Sequence, residues 1–201
     1  MEKIDICNNA LIEAHQDATI TNIDEDSVEA ERCRRIYDST RRELLSMYPW
    51  TFATKFIKLA RFSDNVEGYK YAYKYPDEAL RINDFYVNEV AYQARNFIPF
   101  DLVDAKVAIV NGEKCICCNY DQPFVSENID VKEERLLSEN FCRLFYLFMA
   151  QKITKMAGSK AEIRNEIGSE INSQLSILST VSNRENTDGE EIKNYYVDVR
   201  R

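Results

Sequence analysis

The feature that most constrains the fold is a change of hydrophobic period along the chain. From about 27 to 48, apolar residues recur every three or four positions, which predicts a long amphipathic helix. From Trp50 the pattern becomes extended, and after Pro123 the helical period returns. The returning stripe contains Leu137, Phe141, Leu144 and Phe148. Helices at both ends of a β-rich middle predict an α+β fold.

The domain prediction follows from the same change of period. A chain of 201 residues fits one domain carrying a sizeable insertion. We therefore predict a helical bundle with an inserted antiparallel β-domain. The bundle would comprise residues 1–48 and 131–184, and the insertion residues 49–130. Residues 185–201 are polar for most of their length, and we predict a C-terminal tail that is flexible or ordered by a partner.

Two stretches carry the β-pattern most clearly. Tyr69, Tyr71, Tyr73 and Tyr75 alternate with lysines and alanine, which places the tyrosines on one face of a strand. The dipeptide Asn111-Gly112 lies between two further extended runs and predicts a two-residue hairpin turn. Tyrosines beside lysines could also stack on single-stranded bases. The acidic chain favours tyrosines packed inward instead.

Charge and hydropathy exclude several classes of protein. The net charge is -8, whereas a general nucleic-acid binder needs a basic surface to release phosphate counterions. The most apolar window, residues 141–150, is too short to cross a bilayer and contains Arg143. The six cysteines are scattered, as in proteins whose thiols stay reduced. We expect an intracellular protein with no membrane partner.

The residues that usually carry catalysis are scarce. The chain has one histidine, His15, in a polar segment where a surface position is expected. With five glycines it contains neither a dinucleotide-binding nor a phosphate-binding glycine loop. We therefore predict no catalytic residue, no cofactor and no enzymatic activity. An enzyme that uses the carboxylates of Asp24 and Asp26 is the least favoured alternative.

Two stretches look superficially like metal sites. Cys115 and Cys118 have the spacing of a zinc pair, but neither a second pair nor histidines follow. Asn22, Asp24 and Asp26 open like a calcium loop, but that loop lacks its glycine and final glutamate. We predict no metal site. A small helical regulatory module that holds zinc at Cys115 and Cys118 remains an alternative.

Some side chains are candidates for contacts between molecules. Arginine pairs on the long helix could bind a neighbour's carboxylates, and two tyrosines give the C-terminal tail apolar character. These candidate inter-subunit contacts are Arg34, Arg35, Arg41, Arg42, Tyr195 and Tyr196. We also expect Pro49 to end the helix, while Trp50 and Phe52 anchor the first strand, so that the three residues form a structural junction.

Two passages resemble the tail tubular protein A family, the head-to-tail adaptors of short-tailed bacteriophages. The first combines the helix end Arg41-Arg42-Glu43-Leu44-Leu45 with Tyr48-Pro49-Trp50-Thr51-Phe52-Ala53. The second is the tyrosine strand from Tyr69 to Tyr75, followed by Pro76 and by Leu80-Arg81. The resemblance extends to about Leu178, and these motifs are packing motifs.

The resemblance implies a structural virion protein. Such a protein would form a closed ring of about twelve copies and would join the portal to the tail nozzle, or serve as a different connector ring of the tail. It would line the channel through which DNA passes without sequence specificity. Assembly would take place in the host cytoplasm, and the mature protein would lie in the virion tail.

Overall fold

The structure, a computed structural model, describes residues 1–16, 19–66 and 68–185, without the side chains of residue 65 and of residues 179–185. Helices and antiparallel strands are both abundant in these residues, so the fold is mixed α+β as predicted. No helix in the described ranges is both long enough and apolar enough to cross a membrane.

The elements follow the predicted order of helices, strands and helices. The α-helices are α1 (Lys3–Glu13), α2 (Val28–Met47), α3 (Glu89–Gln93), α4 (Glu139–Met156) and α5 (Ala161–Glu185). The strands are β1 (Thr54–Lys58), β2 (Arg61–Val66), β3 (Tyr69–Lys74), β4 (Ala79–Tyr86), β5 (Ile98–Pro99), β6 (Ala105–Val110), β7 (Glu113–Cys118) and β8 (Phe124–Ile129). Short 3-10 turns lie at Thr51–Ala53, Phe100–Leu102 and Glu134–Leu136.

The chain divides into two compact units. Of the residues that the structure describes, those before residue 38 and those from residue 138 onward form one unit, and those between 38 and 137 form the other. The boundary falls inside α2, after Tyr37. The second unit is therefore inserted, in sequence, between two segments of the first. The predicted insertion, residues 49–130, lies wholly within the second unit.

The helical unit has α4 at its core. Helix α4 contacts both α1 and α5, and Tyr37 of α2 packs on Phe145 with ring centroids 4.8 Å apart. The apolar stripe predicted for this helix is buried at Phe141, Leu144 and Phe145. Ser138 caps the helix, because its hydroxyl accepts a hydrogen bond from the backbone N–H of Phe141.

The β-unit consists of two four-stranded antiparallel sheets. Sheet A has the strand order β1-β8-β4-β5, and sheet B has the order β2-β3-β7-β6. One apolar cluster draws buried residues from both sheets: Leu59, Tyr73, Ile82, Phe85, Val103, Ile116, Cys118 and Val125. A smaller cluster, formed by Ala72, Cys115 and Cys117, lies on the opposite face of sheet B.

The predicted hairpin is confirmed. Strands β6 and β7 pair without a register shift from Ala105 opposite Cys118 to Val110 opposite Glu113. At the turn, Asn111 has φ 50° and Gly112 has φ 86°. Both values lie in the left-handed region that a two-residue turn of this kind requires.

The tyrosine strand is confirmed, with one difference. Tyr71, Tyr73 and Tyr75 pack on the cluster between the sheets, and Tyr73 is almost fully buried. Tyr69, at the start of β3, packs instead against the smaller outer cluster. Because three of the four rings face the protein interior, the interpretation as a packed strand is favoured over a base-stacking strand.

A further strand follows Pro123, inside the predicted β-insertion of residues 49–130, so helical structure returns later than the sequence pattern after Pro123 suggests. Residues Phe124–Ile129 form β8, which lies between β1 and β4 in sheet A. Ser126, Glu127 and Asn128 are all buried there, although all three side chains are polar. Since both faces of β8 are covered, the apolar and polar alternation that marks a half-exposed strand is missing.

Candidate junction and assembly surfaces

The C-terminal end of α2 is held by a buried asparagine of sheet A. The last carbonyl groups of a helix have no partner within the helix. The side-chain amide of Asn128 donates to the carbonyl oxygens of Leu45, at 2.7 Å, and of Tyr48. Its own oxygen accepts from the amide of Asn83 at 2.8 Å. One fully buried side chain therefore satisfies two carbonyl groups at the helix end.

Two more side chains bind carbonyl groups at the same end. The indole Nε1 of Trp50 donates to the carbonyl oxygen of Leu44 at 2.8 Å. The guanidinium of Arg81, on β4, donates to the carbonyl oxygen of Met47 at 2.7 Å. We call Trp50, Arg81 and Asn128 the helix-end clamp. Together they bind four carbonyl groups within five residues, and so they fix the angle at which the chain leaves the helix. These are the carbonyl groups of Leu44, Leu45, Met47 and Tyr48.

The predicted junction residues lie next to this clamp. Helix α2 ends at Met47, and Pro49 follows in an exposed position. Trp50 is 8% exposed, and its ring centroid lies 5.9 Å from that of the half-buried Phe52. Tyr48 approaches the indole from another side at 6.0 Å, edge to face. Trp50 is therefore the buried member of the predicted junction, and Phe52 packs on it.

Arg41 is used within the molecule. It is 5% exposed, its Nε lies 2.9 Å from Oδ1 of Asp130, and its Nη2 lies 3.3 Å from Oδ2. A third contact joins Nη1 to Asp38 at 2.7 Å. Because Arg41 is buried and its guanidinium binds two carboxylates of the same molecule, it is not available to a neighbouring molecule, which corrects its selection as a candidate inter-subunit contact.

The other three arginines are exposed but differ in their contacts. Arg42 shares the carboxylate of Asp130 at 3.3 Å. Arg34 donates to the backbone carbonyl oxygens of Ile23 at 2.6 Å and of Glu25 at 3.1 Å, so it holds the preceding loop. Arg35 has no ion-pair partner within the described ranges. Arg35 and Arg42 therefore remain candidates for contact with a neighbour, and Tyr195 and Tyr196 lie outside the described residues.

A buried carboxylate was not anticipated from the sequence. Glu127 is 1% exposed and lies on the same face of β8 as Val125, which belongs to the cluster between the sheets. Its Oε2 is buried without a hydrogen-bond partner within the described ranges. Burial raises the pKa of Glu127, Lys55 opposes that shift, and Glu78 adds to it. The ammonium of Lys55 bonds Glu78 at 2.6 Å instead, and it does not bond the buried carboxyl group of Glu127.

The two cysteines with zinc spacing point in opposite directions. Cys115 belongs to the outer cluster of sheet B, whereas Cys118 belongs to the cluster between the sheets. This follows from the strand, because residues three apart lie on opposite faces. The two thiols cannot bind one ion together. Burial also raises the pKa of both thiols, which disfavours the thiolate form that binds metal.

The acidic loop before α2 is organised by Glu25. Its carboxylate accepts hydrogen bonds from the backbone N–H groups of Thr21 and Asn22 and from the hydroxyl of Ser27. These bonds lower its pKa to about 2. Asp24 and Asp26 are exposed on the same loop, and the exposed position predicted for His15 is confirmed. The loop therefore begins the helix, with Ser27 as the cap bonded to the N–H of Ala30 at 3.2 Å.

The sequence predicted the junction residues Pro49, Trp50 and Phe52, but it did not predict the side chains that bind the helix end. Asn128 and Asp130 are polar residues near a strand end, and nothing in their spacing indicates a helix end eighty residues earlier in the chain.

The chain matches no protein-family model, and no curated protein matches it either.

Proposed function

We propose that this protein is a structural assembly protein, the head-to-tail adaptor ring of a short-tailed bacteriophage. In this role, copies of the chain join the portal to the tail nozzle and surround the channel for DNA. The proposal rests on the resemblance of Tyr48–Ala53 and of the tyrosine strand to the adaptor family. The packing of the first passage supports it.

The single observation that carries the proposal is the helix-end clamp. The passage that most resembles the adaptor family is the one whose indole binds Leu44 and whose backbone is bound by Asn128. The buried indole gives this passage a packing role, which supports a likeness of fold more than a likeness of chemistry. A ring of identical subunits needs a fixed angle at each such junction, since small errors would accumulate around the ring.

The net charge of the chain is also compatible with a ring that surrounds passing DNA. With a net charge of -8, the chain lacks the excess positive charge that would retain the phosphates of passing DNA. The exposed Arg35 and Arg42 leave two cationic groups for carboxylates of a neighbouring copy. Ion pairs of exposed groups stabilise weakly, by about 0.2–1 kcal/mol each. They would orient subunits, while buried apolar area would supply most of the affinity.

The experiment that tests the proposal is the molar mass of the full chain in solution. Light scattering after size exclusion would be recorded for the chain alone and for its mixture with a portal protein of a short-tailed phage. We expect either rings or a monomer that becomes a stoichiometric ring on the portal. Rings that ignore the portal would indicate a different connector ring of the tail. A monomer that ignores the portal would contradict the proposal.

A further inference from the structure

Among the strands that the structure describes in the β-unit, one sheet edge is open and the other three are guarded. β6 is an outer strand of sheet B, six residues long, in regular register with β7 on its one paired side. At the other edge of sheet B, β2 carries charged residues and a register shift. In sheet A, β1 carries two lysines, and β5 consists of only two residues. Charges, bulges and short length are the usual protections against strand pairing.

The open strand also has an uncovered apolar side. Val107 lies opposite Ile116, so the two side chains share one face of the sheet. Ile116 is fully buried, whereas Val107 is 38% exposed and Ile109 is 77% exposed. The other face carries Lys106, Ala108 and Val110. A strand added beside β6 would therefore satisfy free backbone groups and place its own side chains beside Val107 and Ile109.

The C-terminal tail has the matching pattern. From Tyr195 to Arg200 the chain alternates between one apolar set and one more polar set. The apolar set is Tyr195, Val197 and Val199, and the other set is Tyr196, Asp198 and Arg200. The tail stretch has the length of β6, is rich in residues with high strand propensity, and has Asp198 on the side that would meet Lys106.

We propose that Tyr195–Arg200 of one copy pairs as a strand with β6 of a second copy. This inference rests on the proposed function insofar as it requires more than one copy of the chain. Nine residues separate Glu185, the last residue of α5, from Tyr195, and they can span about 30 Å when extended. That reach is sufficient for a tail to leave its own helix and lie on a neighbour. The backbone hydrogen bonds give the attachment, and the apolar set covers Val107 and Ile109.

The test is a cross-link between full-length chains that carry different single cysteines. One chain would carry Ile109→Cys and the other Val197→Cys, and a short bis-maleimide would be added to their mixture. The six native cysteines are buried and give little background. We expect a covalent pair of one copy of each variant. The matched control replaces Ile109→Cys by Asp64→Cys on the guarded edge β2, where Asp64 is also exposed, and should give no pair.

A second variant tests the hydrogen bonds of the added strand. Here the tail cysteine is Tyr195→Cys, and it is cross-linked to Ile109→Cys of the second chain. Adding Val197→Pro to the tail removes a backbone donor and should abolish this cross-link. In otherwise wild-type chains, Val197→Pro should also make the protected amides of β6 exchange about tenfold faster. An unchanged circular dichroism spectrum should accompany the loss, which would show that the chain is still folded.

Three results would overturn the inference. These are no cross-link with Ile109→Cys, equal cross-linking at Asp64→Cys, and a cross-link that forms only when both cysteines are in one chain. A failure of the strand pairing can be distinguished from a failure of the proposed ring. Rings of normal mass without the cross-link would contradict the strand pairing alone. Cross-linked pairs in a protein that never forms rings, with or without portal, would contradict the ring alone.

Discussion

The beginning and the end of helix α2 each carry an Arg-Arg pair, one heptad apart, and the two pairs are used differently. At the beginning, Arg34 is exposed and its guanidinium donates to two carbonyl groups of the preceding loop. At the end, Arg41 is buried and binds the carboxylate of Asp130 in a bidentate pair. Arg34 is attached to a neighbouring stretch of chain, whereas Arg41 is attached to Asp130, which follows β8 and lies 89 positions later in the sequence.

The difference shows that surroundings, more than residue type, decide what an arginine contributes. An exposed guanidinium that bonds carbonyl groups remains largely hydrated, so its loss removes little. A buried guanidinium has lost its water, and for Arg41 the carboxylates of Asp130 and Asp38 compensate for that loss. Removing one member of such a pair leaves a buried charge without its partner. The two ends of α2 should therefore respond very differently to substitution.

The largest effect is expected for Trp50→Ala at the end of the helix. The substitution removes a buried ring and a hydrogen bond to Leu44, so the free energy of unfolding should fall by about 3–5 kcal/mol. Urea denaturation followed by circular dichroism would measure the loss. Light scattering should show that ring formation is abolished as well. Phe52→Ala, which removes a half-buried ring from the same passage, is the control and should be milder.

If Trp50→Ala forms rings like the wild type, the junction does not set the geometry of assembly. Trp50→Phe sharpens the result, because it retains most of the apolar ring while it removes the indole donor. The difference between the two variants then separates the packing of Trp50 from its hydrogen bond. A loss in Trp50→Phe equal to that in Trp50→Ala would mean that the hydrogen bond dominates.

The next effect is expected for Arg41→Ala, with Arg34→Ala as its partner at the other end. Arg41→Ala should lower the free energy of unfolding by about 3 kcal/mol, because Asp130 is left with only the exposed Arg42 beside it. Arg34→Ala should lower it by less than about 1 kcal/mol. Both would be measured by urea denaturation in the same buffer. Equal losses would remove the contrast between the two ends.

A smaller effect is expected for Ser27→Ala at the beginning of the helix. The hydroxyl of Ser27 accepts from the N–H of Ala30, so its removal should lower the free energy of unfolding by about 1 kcal/mol. Ser27→Asn, which can accept the same bond, should restore most of the loss. A thermal melt of the three chains would measure this. If asparagine fails to restore stability, the serine does not act as a cap.

The smallest effect at neutral pH concerns Glu25, whose contribution depends on pH. Its folded pKa is about 2, against an ordinary value of 4.5. The carboxylate therefore stabilises the loop fully above pH 4.5, and this contribution is lost as the pH falls from 4.5 to about 2. Denaturation of the wild type and of Glu25→Gln should converge over this interval. A difference that stays constant down to pH 2 would contradict the lowered pKa.

The helices and the hairpin were predictable because their signals are local. The predicted helix from about 27 to 48 agrees with α2, and Asn111-Gly112 forms the turn between β6 and β7. A helical period and a turn dipeptide both depend on residues within a few positions of one another. Strand β8 was not predictable in this way, because polar side chains occupy both of its covered faces.

The candidate site was predictable only in part, for the same reason. The importance of Trp50 follows from an aromatic residue after a helix-ending proline. The other two members of the helix-end clamp, Asn128 and Arg81, come from strands far along the chain and carry no pattern of their own. The sequence does not distinguish Arg41 from Arg34, because the burial of Arg41 depends on Asp130, which is distant in the chain. Distant pairings of this kind leave no periodic trace in a single sequence.

The position of β8 between β1 and β4 also sets an order of events during synthesis. Strand β1 has β8 as its partner, and β8 is made about 70 residues later, which takes about 4 to 15 s at ordinary translation rates. Until residue Ile129 has left the ribosome, Thr54–Lys58 presents both backbone edges to the solvent, and the end of α2 lacks Asn128. We therefore expect the lysines of β1 to hinder pairing with other chains during this interval, before β1 becomes the edge of a finished sheet.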